Sequence, residues 1–173
     1  MCSSDLDIHL ELRSLGTSAQ LQAIREDRLN IGFVILPLEE DDLAVEKVAS
    51  EPLVVALPQS HRLASLKRIP LLALAGEPSI LFPRPLSPGY YDHLIGICRN
   101  AGFSLHVAHE MDSIYTALAL VTAGLGLSLV PTSLTDSHRN GIVFRELETA
   151  PQVECAIVYK GEDRKSTRLN SSH

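Results

Sequence analysis

Gly16, Thr17 and Ser18 form the first candidate binding turn of this sequence, between a predicted strand and a predicted helix. The first turn of a helix has free backbone N–H groups, and the two hydroxyls add further hydrogen-bonding groups. Ligands of open α/β sheets bind at such strand ends. The turn therefore suits a carboxylate. The same residues also suit a plain helix cap, in which Thr17 or Ser18 accepts a backbone N–H.

A second candidate turn, residues 83–90, has the same strand-to-helix position further along the chain. Arg84 offers a charge, Ser87 a hydrogen-bond donor and Tyr90 an aromatic wall. The alternative is a rigid proline-rich loop that caps the following helix. If each turn belongs to its own block of strands and helices, the two turns face each other across a cleft, which is the usual setting for a small-molecule site.

The sequence carries no recognisable catalytic motif: it has no G-x-S-x-G elbow, no P-loop and no G-x-G-x-x-G turn. His106 and His109 are three residues apart on a predicted strand, so their side chains point to opposite faces and are poorly placed to share a metal. Cys98 lies on an apolar helix face typical of a core cysteine. The acidic run 39–42 is typical of a solvated loop. We therefore predict no catalytic residue, no metal site and no cofactor.

Composition and charge argue against several further classes of function. The 173 residues include 15 Lys+Arg and 21 Asp+Glu, and the net charge of −6 argues against a broad nucleic-acid-binding face. Four Tyr, four Phe and no Trp provide little material for base stacking. No apolar stretch approaches the roughly 18–20 residues that a membrane helix needs. We therefore expect no membrane partner. The three cysteines are far apart and form no CxxC pair, which predicts a reduced, cytoplasmic protein.

Strand and helix patterns alternate along the body of the chain. Strands are predicted at 7–12, 31–35, 44–48, 53–57, 79–82, 105–108, 127–130, 143–147 and 153–159, and helices between 17 and 30, at 90–101 and at 113–123. Gly102 is predicted to end the second helix. This rhythm predicts a largely parallel sheet with helices on both faces. The long connection after Leu57 separates two blocks, and the last two strands are placed to return to the first.

The two ends differ from the body. Residues 1–5 and 161–173 are polar and have no apolar periodicity. We interpret the first as a non-native leader and the second as a non-native or disordered tail.

Several further stretches stand in a recognisable order and spacing. They are Leu29-Asn30-Ile31-Gly32-Phe33, residues 51–58, residues 60–64, Phe82-Pro83-Arg84, Ala101-Gly102-Phe103 and residues 120–126. Together with Gly16-Thr17 and the helix after it, they resemble the effector-binding domain of LysR-type transcriptional regulators. The resemblance covers about residues 6–160.

This resemblance implies an α/β fold of the type II periplasmic-binding-protein kind, with two lobes joined by two crossover strands. Lobe I would hold residues 6–52 and 143–160 but be incomplete, and lobe II would hold residues 53–142. A small metabolite, aromatic or dicarboxylic, would bind between the lobes. The candidate ligand-binding residues are Gly16, Thr17, Ser18, Arg84, Ser87, Pro88 and Tyr90.

The resemblance also implies a full-length protein that is a homo-oligomer, a dimer or tetramer. It would bind promoter DNA through an N-terminal domain that is absent from this chain. The first strand and helix of the family's effector domain and its closing C-terminal helix are absent too. Ile35 stands where similar aromatic-acid sensors often have arginine, for which Arg13 or Arg84 would substitute. The alternative function is a solute-binding receptor of a transport system, which shares the lobed fold.

Overall fold

The computed structural model describes residues 9–136 and 140–161. The predicted leader and residues 162–173 of the predicted tail lie outside these ranges. The helices of the described residues are α1 (Thr17–Arg25), α2 (Pro88–Asn100) and α3 (Ile114–Thr122). The strands are β1 (Ile31–Ile35), β2 (Ala44–Pro58), β3 (Arg68–Ile69), β4 (Pro78–Leu81), β5 (His106–Glu110), β6 (Ser128–Pro131), β7 (Ile142–Leu147) and β8 (Gln152–Tyr159). Short 3-10 helices span Arg62–Ser65, Leu71–Leu74 and Thr132–Leu134.

The long strand β2 connects the two halves of the main sheet. Its residues 44–52 pair with β8, and its residues 53–58 pair with β6 and β7. The strand order is β1-β8-β2-β7-β3, with β6 also beside β2, while β4 and β5 form a separate pair. The sequence predicted two strands here, 44–48 and 53–57. They are one strand because β8 continues to provide hydrogen-bonding partners as far as Pro52, which is opposite Gln152.

The sheet is mostly antiparallel, so the prediction of a largely parallel sheet is wrong. β8 runs antiparallel to both β1 and β2, and β6 and β7 run antiparallel to β2. Among the described strands β3 with β7 and β4 with β5 are parallel pairs, and an isolated parallel bridge joins Ser79 of β4 to Leu127, directly before β6. The alternation of strands and helices orders the elements along the chain but does not say which strands become neighbours. Here β8, from the end of the described chain, inserts between β1 and β2.

The predicted strand at residues 7–12 is not formed in its described part, residues 9–12. Leu10 and Leu12 are 73% and 82% exposed, and no described strand pairs with this segment. Alternating polar and apolar residues are compatible with a strand, but a strand also needs a neighbour that accepts its backbone hydrogen bonds.

The helices cover opposite faces of β2. Leu53, Val55 and Leu57 belong to one buried cluster with α2, and Val54 and Ala56 belong to another with α3. Successive side chains of a strand point to opposite faces, so a continuous apolar run lets both faces be buried. A third cluster packs α1 on β1 and β8. Its buried members are Leu21, Ile24, Val34, Leu43, Ala156 and Val158.

The sequence prediction places both of the last two strands, β7 and β8, in lobe I, but the strand pairing separates them. β7 lies beside residues 53–58 of β2, whereas β8 lies beside residues 44–52. The division into lobes at residue 143 stays a prediction, and this pairing favours a return crossing at residues 148–151 instead.

Candidate functional site

A cleft of about 420 Å³ lies between the first turns of α1 and α2 and the loop after β1. Its walls are Thr17, Ser18, Leu21, Ile35, Pro37, Leu38, Glu39, Glu40, Pro88, Gly89 and Asp92. Two helices that are far apart in the sequence therefore contribute to one concave site. Its volume is within the range of small-molecule sites.

The two candidate turns touch each other directly at this cleft. The hydroxyls of Thr17 and Ser87 form a hydrogen bond with an Oγ1–Oγ distance of 3.1 Å. The hydroxyl of Ser18 donates to the backbone oxygen of Pro85 at 3.0 Å. Thr17 is buried and Ser87 is half-buried. The two turns thus lie face to face, but of these two hydroxyl residues only Thr17 lines the cleft, and Ser87 does not.

Two glycines allow close approaches around the cleft. A Cβ atom on Gly16 would lie 2.5 Å from Cδ1 of Leu86, and a Cβ atom on Gly89 would overlap the carbonyl oxygen of Pro37. A side chain at Gly16 would therefore push the two turns apart, and one at Gly89 would push the second turn away from the loop after β1. Gly16 serves the site through its lack of a side chain, and it does not itself line the cleft.

The hydroxyls of Thr17 and Ser18 do not cap α1, so the helix-cap interpretation is wrong for them. Gly16 is the N-cap of α1 and Ser87 is the N-cap of α2, and neither helix has a side-chain hydrogen bond at its cap. Neither first turn contains an acidic residue. Neither helix therefore supplies a carboxylate of its own first turn against the positive end of its dipole.

Arg84 lies outside the cleft, where its guanidinium forms a two-point ion pair with Asp92. The Nε–Oδ1 and Nη2–Oδ2 distances are 2.8 and 2.7 Å. The hydrogen bond from Arg84 holds the pKa of Asp92 below its usual value. Of the two partners, Asp92 lines the cleft. Arg13 pairs with Glu11 on the surface, so neither arginine supplies a free charge to the site.

Tyr90 lies in the core and does not form a wall of the cleft. It is 5% exposed, and its hydroxyl donates to the backbone oxygen of Leu129 at 3.3 Å. Burial raises the pKa of this hydroxyl. Helical spacing could have predicted the burial of Tyr90. Tyr90, Leu94 and Cys98 follow one another at intervals of four residues and share one buried face. Cys98 is fully buried, and burial raises its pKa to about 11.

Sequence analysis does not predict that three carboxylates, Glu39, Glu40 and Asp92, line the cleft. The run at 39–42 looked like a solvated loop, but Arg25 forms an ion pair with Glu40 and with Asp42, the latter with an Nε–Oδ2 distance of 2.7 Å. The hydrogen bond from Arg25 lowers the pKa of Asp42. These partners are 15 and 17 residues apart, which no local charge pattern reveals.

The described residues contain no group of three or more His, Cys, Asp or Glu side chains arranged to hold a metal ion. None of the helices in the described ranges has the length and apolar character needed to cross a membrane.

Comparison with known proteins identifies a family model that matches almost the whole chain. It is the LysR substrate binding domain, and it matches residues 2–171. The match includes parts of both ends that were interpreted above as non-native.

Curated relatives share this domain. CatR of Pseudomonas putida is 34% identical over 143 residues, which are 83% of this chain and 49% of the relative. BenM of Acinetobacter baylyi is 33% identical over 73% of this chain and 42% of the relative. Both are HTH-type transcriptional regulators. The chain spans about half the length of the curated relatives that it matches.

Solved structures have the same fold. The effector-binding domain of BenM, determined with its effector benzoate, is 27% identical with a TM-score of 0.73, and the alignment covers 86% of this chain and 68% of that one. Full-length CbnR in complex with its target DNA is 25% identical with a TM-score of 0.75, and the alignment covers 86% of this chain and 52% of that one.

Proposed function

This chain belongs to the LysR substrate-binding domain family, and on that premise we propose that it binds a small-molecule effector in the cleft between α1 and α2. One observation carries the proposal. The N-termini of two helices, both without side-chain caps, and the hydroxyl residues Thr17 and Ser18 surround a space of about 420 Å³, and Thr17 is hydrogen-bonded to Ser87, 70 residues away. Such a site is suited to a carboxylate-bearing metabolite.

Within this cleft we assign direct contact with the effector to Thr17, Ser18 and Pro88. Thr17 and Ser18 now bond to Ser87 and to the backbone of Pro85, and each hydroxyl can exchange that partner for an oxygen of the ligand. Ser87 then becomes a second donor beside Thr17. Effector binding thus competes with the contact between the two turns.

Indirect roles fall to three other residues of the two turns. Gly16 permits the close approach of the turns, because a side chain there would collide with Leu86. Arg84 neutralises Asp92 at the edge of the cleft. Tyr90 anchors the first turn of α2 to the core.

The family match favours a role in gene regulation over that of a transport receptor. The related BenM domain has benzoate as its effector and CbnR binds a target DNA. By analogy, the full-length protein is a cytoplasmic homo-oligomer, a dimer or tetramer, that binds promoter DNA through a domain outside this chain. The domain senses its ligand and does not transform it. The ligand acts by binding one arrangement of the oligomer more tightly than the other.

We further propose that the cleft divides two lobes, with β2 as one crossing and residues 148–151 as the other. The strand pairing supports this division, because β8 pairs with one half of β2 and β7 with the other. The effector would then report on the relative position of the lobes.

Calorimetric titration of the chain with benzoate, succinate and L-leucine tests the proposed site. We expect saturable binding of at least one of these compounds. Thr17→Ala should weaken it by about 0.5–1.5 kcal/mol, the contribution of one neutral hydrogen bond. Thr116→Ala is the matched control, since Thr116 is exposed on α3 away from the cleft. If no compound binds, the proposal is wrong, and if Thr17→Ala binds normally, Thr17 has no part in the site.

A further inference from the structure

The charge of the cleft restricts the ligands that it can hold. Asp92 is paired with Arg84 and Glu40 with Arg25. Glu39 is exposed, and it has no ion-pair or hydrogen-bond partner among the residues that the structure describes. No lysine, arginine or histidine is part of the described cleft wall. Glu39 is therefore the one carboxylate of the cleft wall that has no cationic partner among the described residues.

The first turns of the two helices favour a ligand group of the opposite charge to the one that Glu39 favours. α1 and α2 both begin at the cleft, with no acidic residue in the first turn and no side-chain cap. They favour a negative group on the ligand, whereas Glu39 favours a positive one. A ligand that carries only carboxylates satisfies the helices but is repelled by Glu39, with no cationic side chain of the wall to offset that repulsion. A ligand that carries both a carboxylate and an ammonium group satisfies both.

The remainder of the wall is apolar. Leu21, Ile35 and Leu38 face the space together with Pro37 and Pro88. Burial of an apolar group against these side chains is favourable in proportion to the area removed from water. The ligand thus needs an uncharged hydrocarbon part in addition to its two charged groups.

We propose that the effector of this cleft is a zwitterion with an apolar side chain, of the α-amino acid class. Its ammonium group pairs with Glu39, and its carboxylate lies against the first turns of α1 and α2. Glu39 is then the residue that selects such ligands over simple aromatic and dicarboxylic acids. This inference rests on the proposed function, because it names the class of ligand for the same cleft.

Calorimetry on the 173-residue chain tests the ammonium group directly. The probes are L-leucine and L-phenylalanine, their N-acetyl derivatives, which keep the carboxylate but lose the positive charge, and benzoate. At about pH 6.5 the free amino groups are protonated. We expect at least one of the two amino acids to bind about tenfold more tightly than its N-acetyl derivative and than benzoate.

The variant Glu39→Gln keeps the size of the side chain and removes its charge. It should weaken amino acid binding about tenfold and improve the binding of the N-acetyl derivatives and of benzoate, which carry only a negative charge. Glu148→Gln is the control, because Glu148 is also exposed but is not part of the cleft wall, and it should change nothing.

Each result separates this inference from the proposed function. If benzoate or the N-acetyl derivatives bind as well as the amino acids, and Glu39→Gln has no effect, the zwitterion proposal is overturned while the cleft remains a carboxylate site. If none of the probes binds, the inference and the proposed function both fail.

Discussion

Glu77 illustrates, at the scale of single residues, how partners set the chemistry of a side chain. Its carboxylate is bound by Arg62 and by Nε2 of His61, the latter at 3.2 Å. Nδ1 of His61 accepts the N–H of Leu63, also at 3.2 Å, so Nε2 carries the proton that His61 donates. Burial of Glu77, whose side chain is 16% exposed, opposes ionisation, but Arg62 and His61 outweigh it and hold the pKa below its usual value.

Acid should weaken this contact. Because the pKa of Glu77 is lower in the folded than in the unfolded chain, its contribution is present above the ordinary value of 4.5 and is lost as the pH falls through the folded-state value. We expect Glu77→Gln to lower the free energy of unfolding at neutral pH by about 0.5–1.5 kcal/mol, and to lower it much less at about pH 3. Urea unfolding at both pH values measures this, and a difference between the two proteins that is the same at both would contradict it.

At the scale of elements, both ends of α2 depend on glycine for different reasons. At the start, Gly89 allows the backbone to approach the carbonyl oxygen of Pro37. At the end, Gly102 has a φ of +90°, and the chain turns back so that the N–H of Phe103 bonds to the oxygen of Cys98 at 3.2 Å. The sequence predicted the second role because a glycine after an apolar helical pattern is a local signal. The first role involves Pro37, 52 residues away, and has no local signal.

Gly89→Ala should therefore destabilise the chain by about 1–3 kcal/mol, since its methyl group has no space beside Pro37. It should also change ligand affinity, because both residues line the cleft. Gly96→Ala on the same helix is the matched control. A Cβ there meets nothing within 4 Å, and helix propensity predicts a gain of about 0.5–1 kcal/mol. Thermal unfolding of the two variants measures both changes in stability. If Gly89→Ala and Gly96→Ala changed the stability equally, steric contact at Gly89 would be excluded as the cause.

At the scale of the whole molecule, one face of the main sheet is not covered by any of the residues that the structure describes. α1 covers one side of β1 and β8, whereas Ile31 and Phe33 point to the other side and are 50% and 70% exposed. They lie beside Tyr159 and Ile157 of β8, which are half-buried on the same face. A contiguous apolar surface of this kind favours association.

We expect the isolated chain to associate as its concentration rises, and Phe33→Ser to reduce this association. Leu72→Ser is the control, because Leu72 is 59% exposed but lies on the 3-10 helix at Leu71–Leu74, in the other half of the molecule. Sedimentation velocity over a range of concentrations measures the effect. A monodisperse monomer at all concentrations, or an equal effect of the two variants, would show that this face does not drive association.

The sequence by itself determined most of the elements and the family. β1, α2, α3, β7 and β8 were predicted to within two residues, because apolar periodicity and the glycines and prolines that end an element act over a few neighbours. The order of several short motifs identified the LysR substrate-binding domain, which the family match confirms.

The tertiary structure alone decided which of these elements and side chains meet. The pairing of β8 with β1 and β2, the bond between Thr17 and Ser87, and the ion pair between Arg25 and Glu40 join residues that are far apart in the chain. Tyr90 and Arg84 lie outside the predicted site for the same reason. Tyr90 is packed in the core and bonded to Leu129, and Arg84 is paired with Asp92. Such contacts form only when the folded chain brings distant residues together. A pattern over a few neighbouring residues therefore contains no information about which pairs will meet.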